Sequence, residues 1–276
     1  MQRIAFYGKG GIGKSTIAAG VSLALAERGR RMLHVGCDPK HDSSLTLLDG
    51  AVATTVIDQL FSQPTGALRP EHLIMPGKLG IDCIEAGGPE SGVGCGGRAI
   101  SRMFEVLEEL GVFSAERYDA VTFDVLGDVV CGGFAAPLRA GVAPKVVIVA
   151  SEEMMAGYAA NNISKAVLHY LPNGVSLAGM VVNLRDNKAD RGPIQRLADA
   201  LDTRILAVIP RTPRIQQAEL QGQTILEASP SSKAAKAIRA LADELEALDP
   251  ATCRPPQPMD LEGVRQVMLG SGAGEG

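Results

Sequence analysis

Residues Gly8-Lys9-Gly10-Gly11-Ile12-Gly13-Lys14-Ser15 have the spacing G-x-x-x-x-G-K-S/T. Glycines at these places let backbone N–H groups turn inward around phosphate oxygens. Lys14 is then placed to reach the β and γ phosphates of ATP. The Ser15 hydroxyl, followed by Thr16, is placed to ligate Mg²⁺. The run sits between a strand-like segment, Arg3–Tyr7, and a helical one, Lys14–Arg28, which is the context this chemistry needs. Two acidic segments extend it: Asp38-Pro39-Lys40-His41-Asp42 and Asp124-Val125-Leu126-Gly127-Asp128. Each follows a strand candidate, and open α/β sheets bind ligands at the carboxyl ends of their strands. Acids there can hold Mg²⁺ through water or orient an attacking water.

A second chemistry is written in the cysteines. Cys95 lies in Gly92-Val93-Gly94-Cys95-Gly96-Gly97, and Cys131 in Val129-Val130-Cys131-Gly132-Gly133-Phe134. Each precedes a helical stretch, Arg98–Leu110 and Phe134–Arg139 respectively. A helix N-terminus offers free N–H groups and the positive end of the dipole, which favours anionic sulfur. Flanking glycines admit a bulky ligand, so these loops can hold an iron–sulfur cluster and hydrogen-bond its sulfurs. A 4Fe–4S cluster takes four thiolates and the pattern supplies two. A two-fold dimer sharing one cluster solves this simply. Cys37 and Cys83 could complete a set within one chain, although both lie in or beside strands, where a free cysteine behaves as a small apolar residue. Cys253 reads as incidental.

The elements that must position these groups alternate along the chain. Strand candidates are Arg3–Tyr7, Arg31–Val35, Ile81–Glu85, Ala120–Asp124, Lys145–Ala150, Leu177–Val182 and Arg204–Ile209. Runs such as VVIVA lack polar alternation, as expected of parallel strands covered on both faces. Helix candidates are Lys14–Arg28, Thr54–Phe61, Arg98–Leu110, Met154–Tyr170, Pro193–Leu201 and Ser231–Leu248. In the last, Ala234, Ile238, Leu241, Leu245 and Leu248 share one face. The expected fold is α/β, a single doubly wound and mostly parallel sheet in one domain over residues 1–250. Residues 251–276 read as an extended tail with a short helix over Asp260–Leu269 and a disordered end.

Composition narrows the function. With 46% hydrophobic and 21% charged residues the 276-residue chain is globular, and a net charge of -4 disfavours nucleic acid as a partner. No apolar run reaches the length of a membrane span. Met1 leads straight into a strand pattern, so a cytoplasmic protein with unpaired cysteines is expected.

The segments YGKGGIGKST, VGCDPKHDSS, EAGGPESGVGCGGRAI, FDVLGDVVCGGFAAPLRAG and SEEMMAGYAANNISK together resemble the iron protein of nitrogenase and its relatives, over residues 1 to about 250. The resemblance implies a homodimer with one shared 4Fe–4S cluster and one MgATP site per chain. It implies transfer of single electrons, taken from a ferredoxin or flavodoxin, to a separate and larger catalytic metalloenzyme component. By matching motif, Gly8, Lys9, Gly10, Gly11, Gly13, Lys14, Ser15, Thr16, Asp38, Lys40, Asp42, Asp124, Gly127 and Asp128 inherit nucleotide and switch roles. Among them Lys9, Asp38 and Asp128 act in hydrolysis, and Lys9 would cross the dimer interface, as in deviant Walker A ATPases. Cys95 and Cys131 inherit cluster ligation. Asn183 and Pro210-Arg211 match the adenine side, and Arg98 matches an arginine that docks on the catalytic component.

The branch is mixed. GCDPKHDS and GGFAAPL resemble protochlorophyllide reductases, whereas GCGGR and SEEMMAGYAANNISK resemble nitrogenase iron proteins. Thr212, and ASP at 228–230, stand where nitrogenase iron proteins usually carry Asp and YDP. The mixture best resembles reductases of nitrogenase-like systems such as methylthio-alkane reductase, then nitrogenase, then protochlorophyllide or chlorophyllide reductase. A partition-type ATPase without redox chemistry is the alternative from another class. It would need a basic face or a C-terminal amphipathic anchor, and the last long helix instead ends in Asp243, Glu244 and Glu246.

Overall fold

The computed structural model describes residues 1–63, 66–89, 93–127, 135–138 and 142–270. The chain opens with β1 (Gln2–Tyr7), α1 (Lys14–Ala26), β2 (Met32–Cys37) and α2 (Val56–Ser62). It continues with β3 (Met75–Pro76), β4 (Asp82–Glu85), α3 (Gly96–Glu109) and β5 (Ala120–Val125). Then come β6 (Lys145–Ala150), α4 (Met154–Tyr170), β7 (Ser176–Asn183), α5 (Gly192–Ala200) and β8 (Ile205–Ile209). It closes with α6 (Pro213–Glu219), α7 (Ile225–Ala228), α8 (Lys233–Ala247) and α9 (Leu261–Leu269).

Among the described residues the strands form one eight-stranded sheet in the order β3-β4-β2-β5-β1-β6-β7-β8. All pairings are parallel except that of β3 with β4. The strands lacking polar alternation are those buried at every position: β2, β5 and β6. α1, α7 and α8 pack together on one face, while α9 packs against α4 and α5. Right-handed crossovers place α4 and α5 on the opposite face. The expected face of α8 is the buried one: Ala234, Ile238, Leu241 and Leu245 are fully covered. Each Ile or Leu so buried contributes roughly 1.5–3 kcal/mol.

All seven expected parallel strands are present. The structure adds β3, α6 and α7, elements of two, seven and four residues, too short to show a period. The expected helix at Phe134–Arg139 is described only as a 3-10 turn, Ala136–Leu138, its ends lying outside the described residues. Beyond Pro250 the chain is tied down. The Asn161 side chain exchanges hydrogen bonds of 2.8 and 2.9 Å with the Met259 backbone, and α9 buries Val264 and Met268. Arg196 donates to the carbonyls of Val267 and Met268 at 2.9 and 2.6 Å, satisfying the exposed end of α9. No helix among the described residues is long and apolar enough to cross a membrane.

Candidate functional site

The sheet order brings three strand ends together. β5 lies between β1 and β2, with Asp124 in register with Phe6 on one side and Gly36 on the other. The loop from Gly8 to Gly13, the Asp38–Asp42 segment and the Asp124–Gly127 segment therefore open at one edge. The loop enters α1 through Gly13, whose φ of 91° is one that only glycine adopts freely. A β-carbon there would also strike the Asn183 amide. Around Gly10 and Gly11 nothing lies within 4 Å of such a carbon. Gly127 closes up from below: a β-carbon on it would fall 2.7 Å from the Gly10 nitrogen.

Lys14 and Asp124 are both buried and form an ion pair inside this cradle. Burial pushes the Asp124 carboxyl up. The Lys14 charge and hydrogen bonds from Lys14, Ser15 and Ser43 outweigh it, and the group stays below the usual carboxylate range. Asp124 is thus an anion at the floor of the loop, with Ser15 beside it. Asp38 is half-buried; burial raises its carboxyl against the hydrogen bond it accepts from the Lys40 backbone at 3.0 Å. Lys9 is half-buried, and Lys40 and Asp42 are exposed at the same edge. The Thr16 hydroxyl donates to Glu219 of α6 at 2.5 Å.

Asn183 donates to the Ile12 carbonyl at 2.7 Å, joining β7 to the loop. Beside it lies a cleft of about 310 Å³ lined by Gly13, Ile17, Asn183, Arg185, Ile209 and Arg211. Pro210 precedes Arg211 at the end of β8. Sequence reading missed three partners here. Arg185 donates to the Gly11 carbonyl at 2.5 Å, and Glu152 accepts the backbone N–H groups of Arg185 and Asp186 at 3.0 and 2.9 Å. Asn187 and the Arg211 backbone exchange two hydrogen bonds of 2.8 Å. The cleft is sized for a planar heterocycle beside a phosphate cradle.

Cys95 caps α3 with an exposed thiol, and Arg98 is exposed one turn on. Cys95 has no side-chain bond to the helix, so its sulfur is free beside the N–H groups of the first turn. The loop rests on the acidic segment: a β-carbon on Gly96 would lie 2.7 Å from Pro39 Cγ, and one on Gly88 2.7 Å from Pro39 Cβ. Cys37 and Cys83 are fully buried, and burial pushes both thiols up, as expected of inert core residues. Cys253 is half-buried on the far side and is likewise raised by burial. Asp128 and Cys131 lie outside the described residues.

A family model described as "4Fe-4S iron sulfur cluster binding proteins, NifH/frxC family" matches residues 2–272. The chain belongs to this family. Solved structures of other P-loop proteins share its fold. The septum site-determining protein MinD of Pyrococcus horikoshii OT3, complexed with Mg-ADP, matches at a TM-score of 0.70 and 25% identity, over 89% of this chain and 96% of that one. The cell division ATPase MinD of Pyrococcus furiosus matches at 0.71 and 26%, over 90% and 100%. Cobyrinic acid a,c-diamide synthase of Mycobacterium smegmatis, with bound ADP and magnesium, shares the fold at 0.63 and 23%, over 88% and 92%. What a NifH/frxC protein needs beyond that fold is a thiol presented for a cluster. An exposed cysteine at a helix N-terminus, next to a glycine with no β-carbon to obstruct it, fits that need. Among the described residues no three His, Cys, Asp or Glu side chains gather as a metal site within the chain.

Proposed function

We propose that the protein is an ATP-dependent electron donor, the reductase component of a nitrogenase-like system. In this reading it works as a homodimer, with Cys95 and Cys131 of both chains holding one 4Fe–4S cluster. The cluster would supply one-electron reducing power at the dimer face. Single electrons, drawn from a ferredoxin or flavodoxin, would pass to a larger catalytic metalloenzyme. Sequence mixture favours a methylthio-alkane reductase type of system, then nitrogenase, then protochlorophyllide or chlorophyllide reductase.

The observation that carries this reading is the contact of Pro39 with Gly88 and Gly96. It joins the segment that follows β2, at the phosphate edge, to the loop that presents Cys95. The chain's own residues divide the work. Loop N–H groups and Lys14 bind the β and γ phosphates, Ser15 and Asp124 hold Mg²⁺, and Asn183, Pro210 and Arg211 flank the base. Asp38 and Asp128 orient the attacking water, and Lys9 reaches across the dimer. The Mg-ADP of the P. horikoshii protein supports this assignment of nucleotide and metal.

Anaerobic purification tests the proposal. A brown dimer with about four irons is expected. Cys95→Ser and Cys131→Ser should each lose the iron while Cys253→Ser keeps it. A colourless protein that still hydrolyses ATP would favour the second reading, a cell-division or partition type of ATPase, to which the fold likeness also points.

A further inference from the structure

Behind Asp124 runs a buried polar chain that the nucleotide chemistry above does not use. His34 on β2 is fully buried in a strand where every position is buried, so an apolar side chain would fill the place at no polar cost. Its Nδ1 lies 2.9 Å from Ser22 Oγ of α1 and 3.1 Å from Thr122 Oγ1 of β5, and those two hydroxyls are 2.6 Å apart. Its Nε2 lies 2.8 Å from Ser43 Oγ. Ser43 Oγ lies 2.6 Å from Asp124 Oδ2, and the other Asp124 oxygen faces Lys14.

The proton positions follow from chemistry. Asp124 is an anion paired with Lys14 and can only accept. Ser43 has one proton and gives it to Asp124. Ser43 Oγ must then accept, so His34 donates from Nε2–H. Burial lowers the imidazole to about 4, Asp124 opposing and Lys14 assisting, so the ring is neutral and Nδ1 carries a lone pair. Nδ1 accepts from the Ser22–Thr122 hydroxyl pair: one of these hydroxyls donates to the other, which donates to Nδ1. Every proton in the chain points toward Asp124, and aligned bonds polarise one another. The other tautomer would set the Nε2 lone pair against the Ser43 oxygen, leaving a buried pair unmade.

We propose that His34 is a positioning residue for the nucleotide site: as the neutral Nε2–H tautomer it fixes the Ser43 hydroxyl on Asp124 Oδ2. Resting on the nucleotide reading above, this gives Asp124 a second anchor. When Lys14 turns to a phosphate, one carboxylate oxygen stays held by Ser43 and the other is released toward the cation. The chain also ties the segment after β2 to β5 at that moment, because Ser43 ends it.

The test uses the full-length protein. Side-chain ¹⁵N spectra of its four histidines should show His34 as the Nε2–H tautomer, and Ser43→Ala should abolish that preference. His34→Leu and Ser43→Ala should each lower kcat/KM for MgATP about tenfold, the size expected for losing a hydrogen bond to a charged group. The double variant should be no worse than either single one. His34→Gln should recover most of the loss, since its amide can donate to Ser43 and accept from the Ser22–Thr122 pair. An Nδ1–H tautomer in the wild type, wild-type kcat/KM in Ser43→Ala, or losses that multiply in the double variant overturn the inference. The first two outcomes hold even if His34→Leu does not fold, because they need no change at His34. Absence of ATP turnover in the wild type would instead overturn the functional reading.

Discussion

Pro39 fills the space that a side chain on Gly96 would need, its Cγ lying 2.7 Å from the position of that missing carbon. Asp38 precedes the proline and Cys95 precedes the glycine. Any shift of the acidic segment on sensing a phosphate must push on the thiol loop or break this contact.

Gly96 begins α3 with an ordinary φ, so alanine there is conformationally acceptable and perturbs only the contact with Pro39. Gly96→Ala should cost about 1–3 kcal/mol through overpacking. It should also shrink the effect of MgATP on the rate at which a chelator strips iron. Wild type is expected to lose iron faster with MgATP than with MgADP or no nucleotide. An undiminished response in Gly96→Ala would show that coupling runs elsewhere, through the Asp124–Asp128 segment.

Lys14→Gln should abolish hydrolysis, by at least about a hundredfold, as for other donors aimed at developing charge. It should also destabilise the protein, since Asp124 is left buried and unpaired; losing one partner of such a pair typically costs about 3–5 kcal/mol. The Asp124 carboxyl is held below its usual range. Its stabilisation is therefore present above the unfolded pKa and lost as pH falls through the folded one. Adding Asp124→Asn should restore part of the stability without restoring activity. Urea denaturation of the wild type and the two variants decides this, and equal stability of the single variant and wild type would contradict it.

Two buried groups pull the pH profile in opposite directions. Burial raises the Glu85 carboxyl from 4.5 to about 8, with hydrogen bonds from Ser44 opposing and the charges of Asp124 and Asp42 adding. Its second oxygen, Oε2, has no hydrogen-bond partner among the described residues. A raised folded pKa means stabilisation that is complete below 4.5 and lost as pH rises toward about 8. His34 is lowered from 6.5 to about 4, so its contribution is lost as pH falls between those values. From pH 6.5 to 8 only Glu85 of this pair titrates, and stability should decline by up to about 1.4 kcal/mol per pH unit. Glu85→Gln should flatten that limb in denaturation measured at several pH values. The same slope in the variant would assign it to other groups.

Arg98 borders a shallow apolar depression shared with Phe61, Pro89 and Cys95, and Phe61 is 87% exposed. Arg98→Glu and Phe61→Ala should leave the iron content and ATP binding intact but weaken association with the catalytic component. Phe61→Ala should cost about 1–3 kcal/mol if the ring anchors the contact. Unchanged co-purification with that component would assign both residues to bare surface.

The parallel strands were legible because full burial leaves a run with no polar alternation, as in Lys145–Ala150. The phosphate loop was legible because its residues are contiguous. α6 was missed although Thr212 and Pro213 spell a cap followed by a first-turn proline, because seven residues show no period. The anchors of the cleft were not legible: Glu152, Arg185 and Asn187 act through backbone groups of distant segments. Nor was the chain from Thr122 through His34 to Asp124, since it joins two strands, a helix and a loop that only the sheet order brings together.

That order also sets when the site can exist during synthesis. β1 carries the phosphate loop, yet its neighbours are β5 and β6, which end at Val125 and Ala150. The ribosome releases the loop well before the strands that frame it. At roughly 5–20 residues per second, the glycine-rich turn waits on the order of ten seconds for both flanking strands. Nucleotide therefore cannot template the N-terminal half of the nascent chain. It can only trap a domain whose sheet has already closed around β1, so ATP should protect the finished protein from unfolding without hastening its first folding.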